Sequence, residues 1–320
     1  MSVRHNIKRI IEYIPGGKII INELIRNRRQ KDWSTVLNLR FGRTRLSFYT
    51  SIGLGDLMIA RQFCESFQNY CEKYGDPYLG SVVICAGAWT PDFRINKGDV
   101  NLYWWWSMSG REDWLSNYFA NINVKPDAIL CLSNKCMIEA RKYTDKVLFL
   151  PLGVGENFYP LSLTREGIGF AGSKGHKDSF QEDIVLGPFT YNNDLEWVDY
   201  IDTDVALNQF YNRKKIILGM TEQTQEYWGM VNNRVFEVLA SGTPFIMHKH
   251  RTVNETLGFS YPYQTNSKAE TKLLANDILD NYPAKLDQFN EFSKIIISNH
   301  SYTNRVNQII QFIQKRNNLS

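Results

Sequence analysis

The chain has 320 residues, 43% hydrophobic and 22% charged, with 37 Lys and Arg against 33 Asp and Glu. This is the composition of a folded globular protein, either two ordinary domains or one large one, and it excludes wholesale disorder. No apolar run approaches the ~20 residues that cross a bilayer, and Arg4, Lys8, Arg9 and Glu12 interrupt the N-terminus, unlike a secretory leader.

Residues 3–14 and 18–29 carry helical or mixed apolar spacing, separated by Pro15-Gly16-Gly17. Residues 45–52 predict a strand, and Gly53-Leu54-Gly55-Asp56 follows at once. Leu57, Met58, Ala60, Phe63, Cys64, Phe67, Tyr70 and Cys71 then recur with helical period as far as Gly75-Asp76-Pro77. Strands are predicted over 81–86, 100–106, 128–132 and 147–150, with helices over 114–120 and 133–143. Pro151-Leu152-Gly153-Val154-Gly155 and Pro160 mark a linker. Beyond it, strand 168–171 opens into Gly172-Ser173-Lys174-Gly175, and a short strand is predicted at 184–186. Helix 204–213, strand 216–220, helix 232–240 and strand 245–247 follow, then helices over 267–280, 285–296 and 302–315. Alternation at these lengths implies an α/β fold with parallel sheets. Ligands of such sheets bind beyond the carboxyl ends of the strands.

Five cysteines (Cys64, Cys71, Cys85, Cys131, Cys136) include no Cys-x-x-Cys pair. They read as buried thiols in a reducing cytoplasm, not as a zinc site or a disulfide framework. His248 and His250 stand two apart without further metal-ligand spacing, so no metal is expected. Charge is uneven: the first 60 residues hold eleven basic and four acidic side chains. Arg26, Arg28, Arg29, Lys31, Arg40, Arg43 and Arg45 form either a solvated helix end and loop or a face for an anionic partner. Nucleic acid, phospholipid headgroups or a phosphorylated polymer would suit that face, with Arg28 and Arg29 as acceptor-binding candidates.

The sharpest signal lies at 231–247. Arg234 and Glu237 are three apart and share one helix face, while Val235, Val238 and Leu239 take the packing side. The helix N-terminus near Asn233 presents backbone N–H groups and partial positive charge, which suit a diphosphate. Arg234 adds bidentate phosphate contacts. Glu237, one turn on, can accept two hydrogen bonds from the vicinal hydroxyls of a ribose. Gly242 ends the helix before Thr243-Pro244.

The segment Arg234-x-Phe236-Glu237-x-Leu239-Ala240-Ser241-Gly242-Thr243-Pro244 resembles the nucleotide-binding segment of GT-B-fold glycosyltransferases. The nearest group is the spore-maturation-protein type, among the group 1 glycosyltransferases. Gly169-Phe170-Ala171-Gly172 resembles the first strand and loop of that group's C-terminal domain. His300-Ser301-Tyr302-Thr303-Asn304-Arg305 resembles its closing segment, and the likeness covers roughly residues 165–315. It implies an α/β GT-B fold of two Rossmann-like domains facing across a cleft. Residues 1–155 would form the acceptor side, 156–300 the nucleotide-sugar domain, and 301–320 a helix crossing back to the first domain. It also implies a nucleoside-diphosphate sugar as co-substrate, UDP-sugar as first choice, with no metal or other cofactor. Glu237 would meet the ribose and Arg234 the diphosphate. Two features depart from the family. Retaining members often carry a second Glu eight positions before the ribose Glu, where Gly229 stands here, with Glu226 the nearest acid. The stretch from 175 to 184 is also shorter than the usual first helix.

Other candidates follow from local chemistry. Gly53 and Gly55 lie between a strand and a helix, where a backbone approaches donor phosphates closely. Asp56 reads as a helix N-cap or as the base on the acceptor hydroxyl. Asp113 is a second candidate base and Asp92 a third. Gly172, Ser173, Lys174 and Lys177 form a small basic loop that could neutralise a diphosphate leaving group. Asp202-Thr203-Asp204 reads as a helix cap, not a metal motif. Trp104 and Trp106 share one strand face, either in the core or as a stacking platform for an acceptor.

The resulting expectation is a glycosyltransferase that moves a sugar from a nucleoside-diphosphate sugar to an acceptor hydroxyl. The acceptor would be a cell-surface polymer, a lipid or a small molecule, or a hydroxymethylated base in DNA. The basic first 60 residues, the Trp cluster and the compact length motivate the DNA acceptor. A nucleotide-sugar epimerase and a catalytically silent nucleotide-binding protein are the rival classes.

Overall fold

The computed structural model describes residues 7–14, 18–26, 33–51, 54–86, 95–106, 114–172, 179–190, 194–199 and 201–317. The chain divides into two compact units, Met1–Leu150 with Thr303–Ser320, and Pro151–Tyr302.

The first unit is built on an eight-stranded sheet in the order β1 to β8. Strands β1 (Ile7–Ile14), β2 (Lys18–Arg26), β3 (Trp33–Phe41) and β4 (Thr44–Ser51) pair antiparallel. From β4 onward, β5 (Ser81–Ala86), β6 (Val100–Trp105), β7 (Ala128–Cys131) and β8 (Val147–Phe149) pair parallel. The helical or mixed spacing read over 3–14 and 18–29 is therefore corrected: the described parts are strands, in register from Ile7↔Ile25 to Ile14↔Lys18. Eight isoleucines occur in these two strands. Their branched side chains lose rotamer freedom in a helix and fit a pleated surface. Strand β3 was not anticipated, and it makes the sheet mixed instead of wholly parallel.

Helix α1 (Leu54–Tyr74) packs on β3 and β4, while α2 (Trp114–Asn121) and α3 (Asn134–Ala140) follow β6 and β7. Phe63 of α1 meets Phe48 of β4 at 5.5 Å and Trp104 of β6 at 5.3 Å, which locks helix to sheet through aromatic contacts. Tyr103 stacks on Tyr118 of α2 at 4.0 Å. Ser133 caps α3, accepting from Cys136 N at 3.1 Å. All five cysteines are buried free thiols.

The second unit has a five-stranded, all-parallel sheet in the order β10-β9-β11-β12-β13. Its strands are β9 (Ile168–Ala171), β10 (Leu195–Val198), β11 (Ile216–Gly219), β12 (Phe245–His248) and β13 (Gln264–Thr265). Helices α4 (Ser179–Val185) and α5 (Gly187–Thr190) follow β9, α6 (Asp204–Asn212) follows β10, and α7 (Gln223–Trp228) and α8 (Asn233–Ala240) follow β11. Helices α9 (Val253–Leu257), α10 (Lys268–Asp280) and α11 (Tyr282–His300) complete the unit, and α12 (Tyr302–Asn317) groups from Thr303 with the first unit.

The strand expected at 184–186 is corrected: Ile184 and Val185 end helix α4. A three-residue apolar run has no period that separates the two states. Thr271 of α10 donates to the Ile184 carbonyl at 3.0 Å, so tertiary packing fixes the helix. Thr203 caps α6, accepting from Ala206 N at 3.2 Å, so the Asp-Thr-Asp stretch begins a helix.

The order of the second sheet decides where a ligand can sit. The chain leaves β9 for β10 on one side, then returns to β11 on the other. Neighbouring connections diverge above the carboxyl ends of β9 and β11 and open a crevice there.

Candidate functional site

Helix α8 begins at this crevice, because a helix between parallel strands starts at their carboxyl edge. Its inner face carries Val235, Phe236, Val238 and Leu239, all buried. Asn232, at its N-cap, makes no side-chain cap. Instead its amide nitrogen donates to the Met220 carbonyl at 3.1 Å and to Thr221 Oγ1 at 3.4 Å, tying the helix start to the end of β11. The first-turn N–H groups of α8 thus lack an Asn232 cap, the condition under which a helix start binds an anion.

Arg234 bridges α8 to the end of β9. Its Nη2 donates to the Ala171 carbonyl at 2.7 Å, and its guanidinium lies 4.7 Å from the centre of the Phe170 ring. Trp197 of β10 packs edge-on against Phe170 at 5.2 Å and donates Nε1 to the Gly172 carbonyl at 2.8 Å. Gly172 is required by this packing. A Cβ there would stand 2.8 Å from Arg234 Nη2 and 2.9 Å from the Phe170 ring.

Glu237 is only 2% exposed. Asn233, one turn earlier, donates its amide to Glu237 Oε1 at 2.8 Å. Tyr211 of α6 lies close to both charges. Burial pushes its hydroxyl well above the ordinary value, the Glu237 charge adds to the shift, and Arg234 opposes it. Gly172, Asn233, Arg234 and Glu237 are thereby drawn into one group. Trp197 and Tyr211 belong to it as well and were missed in the sequence, Trp197 because its four-residue strand was not recognised.

Further along the same edge, Gly229 ends α7 with φ +70°. The position eight before Glu237 is thus a left-handed helix stop, a conformation that disfavours any side chain. Glu226 on α7 accepts from Gln181 Nε2 of α4 at 2.8 Å. His248 ends β12. Burial pulls its imidazole below the ordinary value, and the nearby Glu226 carboxylate opposes that.

In the first unit, Gly55 lies in the first turn of α1 with open space where a Cβ would stand. Asp56, in the same turn, accepts from Ser51 Oγ at 2.5 Å and from Trp106 Nε1 at 3.0 Å. This carboxylate joins β4, the end of β6 and α1. The expected stacking platform is corrected: Trp104 is 0% and Trp106 2% exposed. The two rings pack against each other at 5.2 Å and against Phe48, so neither offers a face to an acceptor. Arg28, Arg29, Gly53, Asp92, Asp113, Ser173, Lys174 and Lys177 lie outside the described residues.

Residues 175–311 match the model of a family described as glycosyl transferase-like. This stretch, less than half of the chain, is similar to that family. The match runs from the stretch that follows β9 in sequence into α12 and includes α8 with Arg234 and Glu237. Among solved structures, TarM is similar at 10% identity and TM-score 0.48, over 95% of this chain and 68% of that one. AviGT4, a glycosyltransferase involved in avilamycin A biosynthesis, is similar at 12% identity and TM-score 0.47, over 80% of this chain and 89% of its own. A DNA-modifying β-glucosyltransferase is similar at 10% identity and TM-score 0.47, over 80% of this chain and 93% of its own. No curated protein matches the chain in sequence. Among the described residues, no group of three or more His, Cys, Asp or Glu side chains could hold a metal ion. No described helix is long and apolar enough to cross a membrane.

Proposed function

We propose that the protein transfers a sugar from a nucleoside-diphosphate sugar to an acceptor hydroxyl. The observation that carries this reading is the placement of Arg234 and Glu237, in the stretch similar to the glycosyl transferase-like family, where the sheet order opens a crevice. Donor binding is assigned to the second unit. The diphosphate meets the N–H groups at the start of α8 and the guanidinium of Arg234. One of its five N–H donors holds the Ala171 carbonyl, which aims the fork. Glu237 accepts the ribose hydroxyls.

The acceptor hydroxyl attacks the anomeric carbon, the bond to the diphosphate oxygen breaks, and the acceptor proton passes to a base. Charge builds on the departing diphosphate, where Arg234 and the helix start stabilise it, with no divalent cation required in this account. Holding donor and acceptor together supplies the remainder. The acceptor side falls to the first unit, with Asp56 and Asp113 as candidate bases. Asp56 already accepts from Ser51 and Trp106, one on each oxygen, and each oxygen keeps a further lone pair with which to take the acceptor hydroxyl.

The acceptor is assigned as an anionic polymer, with DNA bearing a hydroxymethylated base as the specific case. What supports it is the charge of the first 60 residues, eleven basic against four acidic. Trp104 and Trp106 are core residues and add nothing to acceptor recognition. UDP remains the first nucleotide to test. A reducing cytoplasm suits the five buried free thiols. The test is incubation with UDP-glucose and duplex DNA carrying 5-hydroxymethylcytosine, read by mass spectrometry. A hexose increment on the base is expected. Donor turnover without any acceptor would favour an epimerase, and binding without turnover a silent nucleotide-binding protein.

A further inference from the structure

The hairpin that joins β3 to β4 lies at the amino edge of the parallel strands of the first unit, away from the carboxyl edge where Ser51 meets Asp56. Arg40 and Arg45 stand directly opposite each other across this hairpin, so their side chains leave the same face of the sheet, and Arg43 sits in the turn. All three are exposed. Among the described residues, none of the three forms an ion pair with an acid. Asp76 and Asp99 stand on the same edge, but backbone N–H groups engage both, Asp99 through Ser81 N at 2.8 Å. Like charges directly opposite on paired strands destabilise the pair, and an anion from outside the chain relieves that repulsion.

Asp76 holds the turn rigid. Its Oδ2 accepts from Arg43 N at 2.5 Å, and its Oδ1 accepts from Thr44 Oγ1 at 2.6 Å and Tyr78 N at 2.9 Å. Thr44 Oγ1 accepts in turn from Leu79 N at 2.9 Å. Gly42 has φ +57°, and a Cβ there would collide with the Asp76 carboxylate. Arg43 and Tyr78 thus flank one carboxylate, and the Gly80 carbonyl, two residues beyond Tyr78, accepts from Arg45 N at 2.8 Å. Tyr78 has φ +54°, a left-handed conformation uncommon for a bulky residue, and is 70% exposed. The Tyr74 ring carries the Lys73 ammonium at 5.0 Å and meets Tyr70 at 4.9 Å. The Tyr78 ring has no such contact among the described residues. A strained backbone therefore presents a free aromatic ring beside three unpaired guanidinium groups.

We propose that this edge binds a single nucleic-acid strand, with phosphates on Arg40, Arg43 and Arg45 and an unpaired base stacked on Tyr78. Guanidinium forks match phosphate geometry, and every base offers a π-face to an aromatic ring. A duplex keeps its bases stacked on one another and leaves Tyr78 without a partner. A lipid surface would need apolar side chains to insert, and Leu46 and Leu79 beside the turn are buried in the protein. The surface is separate from the donor site and does not depend on it. The extended chain of β4 from Arg45 to Ser51 spans about 20 Å, so Asp56 lies outside the surface.

The test is fluorescence anisotropy of the full chain, without nucleotide sugar, against a labelled oligothymidylate of about 20 nucleotides and an abasic strand of equal length. The abasic strand keeps the phosphates and removes the stacking partner. Wild type is expected to bind oligothymidylate about tenfold more tightly than the abasic strand. Tyr78→Asn, a residue that tolerates the left-handed conformation, is expected to erase that difference. The triple variant Arg40→Gln, Arg43→Gln, Arg45→Gln is expected to weaken both strands. Its slope of log affinity against log salt should be shallower by about two, since each phosphate contact on a single strand contributes about 0.7. It should also melt no lower than wild type, because a repulsion has been removed. If it melts lower, the single variant Arg43→Gln decides, with a slope shallower by about 0.7 expected. An unchanged slope in the deciding variant, or equal binding of the two strands by wild type, overturns the proposal. So does binding to phosphatidylserine vesicles without binding to oligothymidylate.

Discussion

Asn233 donates its side-chain amide to Glu237 Oε1 at 2.8 Å, across one turn of α8. The carboxylate assigned to the ribose therefore already holds one donor, in a position only 2% exposed. A buried carboxylate without donors is costly, so Asn233 keeps Glu237 satisfied while no ligand is bound. A ribose hydroxyl arriving at Oε1 competes with that amide. Asn233→Ala should lower stability by about 1–3 kcal/mol, since a hydrogen bond to a buried charge is lost. It should also raise the affinity for a ribonucleoside diphosphate severalfold and leave that for its 2′,3′-dideoxy analogue unchanged. Thermal melts and titration calorimetry with both nucleotides check this. Equal changes for both would mean that Asn233 acts on fold alone.

Arg234 contacts a carbonyl and an aromatic face at once, through Ala171 and Phe170. A lysine ammonium has no planar fork with which to reproduce both contacts. Arg234→Lys should weaken diphosphate binding about tenfold or more. Gly172→Ala should act in the same direction, because its Cβ would stand 2.8 Å from Arg234 Nη2. Titration of the two variants with the free diphosphate measures both effects. A Gly172→Ala protein with unchanged affinity would mean that Arg234 has room to move without loss.

His250 is 3% exposed, and burial pulls its imidazole down to about 4. The unfolded chain protonates it near the ordinary 6.5. Between these values the unfolded state binds more protons than the folded one, so stability falls as pH drops from about 6.5 to about 4 and then levels off. The loss assignable to this group is on the order of 3 kcal/mol. Denaturant melts of wild type and His250→Asn over that range should diverge in slope, with the variant flatter. Parallel slopes would place the acid sensitivity elsewhere.

The basic first 60 residues bear on the acceptor. If they neutralise polymer phosphates, the logarithm of the affinity for DNA should fall linearly with the logarithm of salt concentration. Binding measured between low and physiological salt reads the slope. A flat dependence would point to a small neutral acceptor.

The sheet and helices of the second unit were largely legible, because β9, β11, β12 and α8 combine apolar runs with stops such as Gly242. The pair Arg234 and Glu237 could be read from its three-residue spacing. The bond from Arg234 to Ala171 could not, since it joins positions 63 apart in the chain. Strand β10 has no unbroken apolar run, because Glu196 interrupts it, and α7, with six residues, is too short to show a period. The first two strands were misread because their isoleucines match several spacings, and partner strands settle the state, as in the register from Ile7↔Ile25. Alternation placed Trp104 and Trp106 on one face. Phe48 of β4 and Phe63 of α1, distant in sequence, turned that face into core.

The most direct test of the donor site is a thermal-shift panel of UDP, GDP, ADP, CDP and TDP on wild type and Glu237→Gln, a variant that keeps the side-chain size. One diphosphate present at ~100 times its Kd should stabilise wild type by roughly 2.7 kcal/mol. That shift should be lost in Glu237→Gln and absent with the 2′,3′-dideoxy form of the same nucleotide. A panel without any shift, or a shift that survives in Glu237→Gln and with the dideoxy nucleotide, would contradict the assignment of α8 as the nucleotide-binding helix.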